Sequence, residues 1–193
     1  MANEPRELSK AALGITEGLP LEASNGGVDD LRKDIQRLMD MEAIRQAKHT
    51  YFRCIDTANW VELTEILHEQ LYVHYKGGNY EFKLENKQDF LAAMKVSFHN
   101  EAAGRHFGCM PEIQILSENE ATGIWYLYDH FWSINNKHLT HGTAIYWDKY
   151  VKENGRWLIK ETSYERVYEM NESYAEAPEF SSRYLKNFGA DPV

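Results

Sequence analysis

The sequence predicts an α+β fold, a curved and mostly antiparallel sheet wrapped around N-terminal helices with an apolar pocket between them. Three observations predict it. Apolar residues recur at three- and four-residue spacing from Asp29 to Ile55 and again over 60–67, as in amphipathic helices. From residue 106 the period drops to two and holds through four long segments separated by turn residues. Aromatics are 13% of the 193 residues and crowd the second half, which suits one deep core or a pocket for a flat apolar ligand. Long antiparallel strands after N-terminal helices read as a single α+β domain.

Taken in order, residues 1–28 are polar and broken by Pro5, Gly14, Gly18, Pro20, Gly26 and Gly27, and they read as an extension that is loose or drapes over a neighbour. The domain is expected over 29–170. Asp29 or Asp30 is the expected N-cap of a long helix carrying Leu31, Ile35, Leu38, Ile44, Tyr51, Phe52 and Ile55, with a break expected at Asp40 or Met41. A short helix over Trp60, Leu63, Ile66 and Leu67 follows. Leu71, Val73 and Tyr75 alternate into Lys76-Gly77-Gly78-Asn79, a hairpin signal, and residues 80–84 return. Asn86 caps a helix through Phe90, Leu91, Met94 and Phe98. Four strands are expected at about 106–116, 121–134, 140–152 and 157–168. The tail, 171–193, contains Pro178 and Pro192 and reads as irregular or as a cover over an opening.

Composition excludes several functions. The net charge of −9 argues against nucleic acid and anionic membranes, which need clustered Lys and Arg. No run approaches the ~20 apolar residues of a membrane span, and no signal peptide is evident, so a soluble, cytoplasmic protein is expected. Cys54 and Cys109 sit in apolar, patterned segments and read as reduced, buried thiols. There is no glycine-rich phosphate loop and no nucleophile elbow. His138 and His141, with His130 nearby, lack an acidic or thiol ligand at metal-like spacing, so no metal or other cofactor is expected.

Tyr51, Asp56 and His106 carry the chemical signal. A His can take a proton from carbon, an Asp can hold that His in one tautomer, and a Tyr can donate to an oxygen gaining charge. Each has a plainer alternative: Asp56 as the cap of a helix beginning near Asn59, His106 as a satisfied core residue, Tyr51 as a core aromatic. Tyr51 and Asp56 are also five apart, about 140° round a helix, and do not share a face. Strand alternation places Asp129 with Trp125, Leu127 and Phe131, and Arg166 with Tyr164 and Tyr168. A carboxylate on an aromatic face wants a partner, and an Asp129–Arg166 pair across the sheet is one reading, against two unrelated strand-edge residues.

The segment DMEAIRQAKHTYFRCIDTANWVEL, followed in order by HFGCMPEI, ATGIWYLYD, IYWDKY and ETSYERVYE, resembles the SnoaL-like branch of the NTF2-like superfamily, and most closely its bile acid 7α-dehydratases. The resemblance spans about 34–169. It implies a cone-shaped sheet around an apolar pocket and places the family's catalytic tyrosine, aspartate and histidine on Tyr51, Asp56 and His106. Its strand aspartate and arginine fall on Asp129 and Arg166, expected to bind substrate. The extension before Asp29 is longer than in that family. The segment 135–141 is shorter, with His138 and His141 near a family tyrosine.

The implied activity is elimination of water from a hydroxylated, bile-acid-like steroid of the 7α-hydroxy-3-oxo-Δ4 type, as the free acid or as a coenzyme A thioester. A homotrimer is implied too, and Trp132 and Trp147 are the exposed outer-face aromatics expected at its interface. The same fold serves steroid or polyketide isomerases and cyclases, whose products keep the substrate's mass. It also serves binding modules without catalysis, which would bind a steroid equally well without His106.

Overall fold

The computed structural model describes residues 23, 24 and 26–192, so most of the N-terminal extension lies outside the described residues. Helix α1 (Val28–Asp56) runs unbroken for 29 residues. Its N-cap is Gly27, and Asp29 and Asp30 fall in the first turn, where carboxylates favour the helix N-terminus without capping it. The expected break at Asp40 does not occur. Asp40 is instead buried, accepting from Lys152 Nζ at 2.7 Å, Trp157 Nε1 at 2.9 Å and Gln36 Nε2 at 3.2 Å. Burial pushes its pKa up, but these three donors outweigh that and hold the carboxyl below its usual range.

Helix α2 (Trp60–Ile66) is capped by Asn59, whose side chain accepts from Glu62 N. Strand β1 (Leu67–Lys76) turns through Gly77-Gly78 into β2 (Glu81–Leu84). Helix α3 (Lys87–Ser97) starts at Asn86, which caps Asp89 N as its sequence position predicts. Strands β3 (Ala102–Ile115), β4 (Glu120–Ser133), β5 (His138–Glu153) and β6 (Arg156–Ser173) follow. They form one six-stranded sheet in the order β2-β1-β6-β5-β4-β3, antiparallel except where β1 meets β6. The tail is not wholly irregular. β6 runs on to Ser173, and α4 (Tyr184–Phe188) packs on β3 with Leu185 buried.

Helix α1 lies across the concave face against β3 and β6. Alternation along β4 sends Trp125, Leu127 and Asp129 inward, where all are buried. Among the described residues four register shifts interrupt the sheet, and two of them matter here. One lies between Cys109 and Glu112 on β3, with Met110 at φ 50°. The other is at Val167 on β6, because Thr143 pairs with Tyr168 while Ala144 pairs with Arg166. Trp132 and Trp147 lie on the convex face but are half-buried rather than exposed, and Trp132 is covered by Tyr174 and Phe180 of the tail. Large exposed side chains on β3 and β6 include Phe107 and Met110, 62% and 68% exposed, and Tyr168. Among the described residues no helix is long and apolar enough to cross a membrane.

Candidate active site

His106 sits on the inner face of β3 between Gly104 and Gly108. A Cβ at Gly108 would come within 1.9 Å of the Phe52 ring, and one at Gly104 within 2.5 Å of Phe98 and 3.1 Å of Asp56 Oδ1. The two missing side chains let the end of α1 press onto β3. Asp56 can therefore grip His106 twice. Its Oδ1 accepts from Nδ1 at 2.6 Å and its Oδ2 accepts from the backbone N–H at 2.8 Å. Capping of the next helix falls to Asn59, so the plainer role for Asp56 is already taken. With Nδ1 protonated against a carboxylate, Nε2 keeps the lone pair and is the basic nitrogen. Phe52 stacks on the ring at 5.9 Å and holds its plane.

The imidazole lines a cavity of about 470 Å³ together with Tyr51, Tyr146, Tyr164, Asp129 and Arg166. That volume falls in the range of small-molecule sites, ~300–1,000 Å³. Asp56 does not line it. It lines a separate groove of about 420 Å³ behind the imidazole, with His49, Phe52 and Arg53. The 140° between Tyr51 and Asp56 is thus the geometry the site uses. Tyr51 faces the cavity from one side of α1, Asp56 supports His106 from another, and the ring bridges the two.

Tyr51 is 2% exposed, and its hydroxyl lies 2.6 Å from that of Tyr75. Burial pushes its pKa up strongly, opposed in part by the Tyr75 hydrogen bond, so at neutral pH it is a phenol and a donor. Burial raises Tyr75, Tyr146 and Tyr164 likewise. The Tyr75 and Tyr164 rings stack at 4.3 Å, and the Tyr80 and Tyr164 hydroxyls are bonded. The cavity floor is therefore a sheet of neutral phenols, apolar in its faces and donating at its edges.

Asp129 and Arg166 meet in a two-pronged pair, Nη1 to Oδ1 at 2.5 Å and Nη2 to Oδ2 at 3.0 Å, both side chains 8% exposed. Burial works against the Arg166 charge, but Asp129 outweighs it and holds the proton more firmly than usual. The Val167 bulge changes the rest of the expected face. Tyr168 turns outward, 46% exposed, and Glu169 takes its place beside Arg166, accepting from Nε at 3.1 Å and from Gly78 N at 3.2 Å. Period-two reading cannot see a bulge, so Glu169 was not legible in the sequence.

A second buried ion pair was also missed. Lys48 Nζ lies 2.8 Å from Asp148 Oδ2, both side chains fully buried, and 3.8 Å above the Tyr146 ring. Its one sequence signal is a lysine three residues before Tyr51 on the apolar side of α1. Cys54 is buried and free, its thiol pushed up by burial to about 11, whereas Cys109 is only half-buried. His130 and His141 stack at 5.1 Å on the convex face, bonded to Arg105 and Glu172 respectively, and His138 bonds Asn171. Among the described residues no three His, Cys, Asp or Glu groups are placed to hold a metal ion.

Residues 36–163 match the SnoaL-like domain family. The chain belongs to that family. Solved structures share the fold at low identity. A hexachlorocyclohexane dehydrochlorinase, LinA type 2, is 13% identical over 77% of this chain and 99% of its own, with TM-score 0.65. LinA-type3 from Novosphingobium barchaimii LL02 is 15% identical over 76% and 99%, with TM-score 0.64. A candidate scytalone dehydratase from Novosphingobium aromaticivorans DSM 12444 is 19% identical over 76% and 96%, with TM-score 0.60. The SnoaL-like fold with helices N-terminal to a curved, unclosed, mostly antiparallel sheet is thereby shown for this chain.

Proposed function

We propose that the protein is a hydro-lyase that removes water from a hydroxylated steroid of the bile-acid type, bearing a conjugated 3-ketone and a 7α-hydroxyl. The observation that carries this reading is the Asp56–His106 dyad lining a phenol-floored cavity that also holds Tyr51. A base fixed in one tautomer beside a neutral donor, in an aromatic cavity, suits proton abstraction next to a carbonyl. Two of the similar folds carry names of eliminations, a dehydrochlorinase and a dehydratase, which supports the reaction class.

In this mechanism His106 Nε2 takes a proton from the carbon next to the one bearing the hydroxyl. The C–H electron pair passes into the enone, and charge gathers on its oxygen, which Tyr51 stabilises by donating a hydrogen bond. Asp56 stabilises the imidazolium. As the electrons return to form the new double bond, the C–O bond breaks and the hydroxyl takes the imidazolium proton, leaving as water. Asp129 and Arg166, with Glu169, shape the polar wall against which the substrate is oriented. These steps are redox-neutral, so they need no redox cofactor.

The same reading takes the protein as a homo-oligomer, trimeric as the family resemblance implies, joined through the convex face where Phe107 and Met110 are exposed. It places the chain in the cytoplasm, where free Cys54 and Cys109 stay reduced. The test is mass spectrometry of a 7α-hydroxy-3-oxo-Δ4 bile acid incubated with the protein and with His106→Ala. Loss of one water with the wild type alone supports the reading. Unchanged mass in both, with the double bond moved, would make the protein an isomerase. Unchanged substrate bound equally by both would make it a binding module.

A further inference from the structure

The turn between α3 and β3 carries a second imidazole that the mechanism does not use. His99 lines the main cavity with His106. The Phe98 ring beside it packs 5.7 Å from His106 and 5.3 Å from Phe131. The Glu101 backbone N–H donates to His99 Nδ1 at 3.0 Å. A nitrogen that accepts keeps its lone pair, so the ring is neutral and its proton sits on Nε2. The hydrogen bonds of the described residues leave that Nε2–H without a protein acceptor.

The turn is held from behind by the C-terminal segment. Arg183 donates to the carbonyls of Asn100 and Ala102. Asn100 N donates to the Ala190 carbonyl at 2.8 Å, and Asn100 Nδ2 to Asp191 at 2.6 Å. Gly189 approaches so closely that a Cβ there would meet Asn100 N at 2.9 Å. A donor at the tip of a turn clasped in this way is preorganised, which favours a role in recognition over an incidental surface residue.

The described lining residues nearest it in the sheet and in α3 are apolar or hydroxyl-bearing. Ser133 and Thr140 line the cavity, and pairing of Ser133 with Ala102 and of Thr140 with Phe131 puts both at His99's end of the sheet, but their hydroxyls donate to Asn135 and Asn171, which leaves His99 Nε2–H as the donor for a ligand there. Arg166 is the one Lys or Arg among the described lining residues, and its guanidinium is committed to Asp129 and Glu169. A free carboxylate entering this end would lose water and find no uncommitted Lys or Arg among the described lining residues, inside a chain of net charge −9.

We propose that His99 Nε2–H recognises an uncharged acceptor oxygen on the ligand, a carbonyl or hydroxyl outside the reacting ring, and that this end of the cavity disfavours a free carboxylate. This rests on the steroid reading above and specifies its substrate. Arg183 acts as a positioning residue for the turn.

The test is calorimetric binding, at about pH 8, of three ligands sharing one 3-oxo-Δ4 steroid core whose side chain ends in an alcohol, a carboxamide or a carboxylate. The wild type is expected to bind the alcohol and amide about tenfold tighter than the acid, the weight of a neutral hydrogen bond against an undercompensated charge. His99→Leu should weaken the alcohol and amide about tenfold and the acid little, with Arg183→Ala shifting them in the same direction. His99→Gln, which keeps a donor, should restore part of the difference. The proposal is overturned if the acid binds tightest to the wild type, or if His99→Leu and His99→Gln leave the ligand order unchanged. Mass spectrometry of the protein incubated with the 7α-hydroxy analogues of the same three ligands separates the two proposals. The expected binding order without loss of water removes the dehydratase and leaves His99 standing, and loss of water without discrimination does the reverse.

Discussion

The hydrogen bonds at His106 set the terms for what each residue can contribute. Asp56 holds both the ring and the backbone of His106, so one carboxylate fixes the tautomer and the strand position together. Asp56→Asn keeps an oxygen for the backbone N–H but no longer stabilises an imidazolium. Its kcat should fall about 10²- to 10⁴-fold in a dehydration assay, with little change in KM. Tyr51→Phe removes the phenol and leaves Tyr75 with only its longer contact to Thr162, at 3.5 Å. Turnover should drop on the order of 10²-fold, read from single-turnover rates, since a lost donor to a developing oxyanion has about that weight. YFRCID and the histidine of HFGCMPEI were legible as residue types. Which ring nitrogen Asp56 holds, and that Asn59 rather than Asp56 caps α2, depended on the approach of α1 to β3.

The elements matter through how closely they pack. Gly108 on β3 faces Phe52 on α1, and Phe52 stacks on His106. Gly108→Ala forces these apart, so it should cost about 1–3 kcal/mol in urea unfolding and lower activity without altering any catalytic group. Near the middle of α1, Asp40 ties the helix to Lys152 on β5 and Trp157 on β6. Asp40→Ala leaves a half-buried ammonium and an indole N–H unpaired, and chemical denaturation should show a loss of about 2–3 kcal/mol. The periodicity of α1 was readable, and so was an oddity at Asp40. Its meaning was not, because the partners that bury it are over a hundred residues away.

The whole molecule carries an acid-sensitive patch on its convex face. Burial, followed by the Arg105 and His141 charges, lowers the pKa of His130 from 6.5, with Asp129 and Glu172 opposing. A folded-state pKa below the unfolded value means that the unfolded chain binds the proton first as pH falls. The stability associated with neutral His130 is thus complete above 6.5 and is lost as pH drops from there through the lowered value. Melting temperature should decline on acidification through that window, and His130→Asn should flatten the decline. The proposed oligomer involves the same face, and Phe107→Glu should shift the sedimentation coefficient to that of the monomer if Phe107 is at the interface.

Composition, period and turn residues were enough to predict helices followed by long antiparallel strands, because those signals are local and repeat every two or three to four residues. The Asp129–Arg166 pairing was legible too, since each residue interrupts an aromatic strand face. Strand register, the Val167 bulge that exchanges Tyr168 for Glu169, the burial of Lys48 against Asp148 and the covering of Trp132 by the tail were decided only by tertiary structure. Each depends on contacts between residues far apart in the chain, and no periodic pattern records which distant side chain will fill a given space.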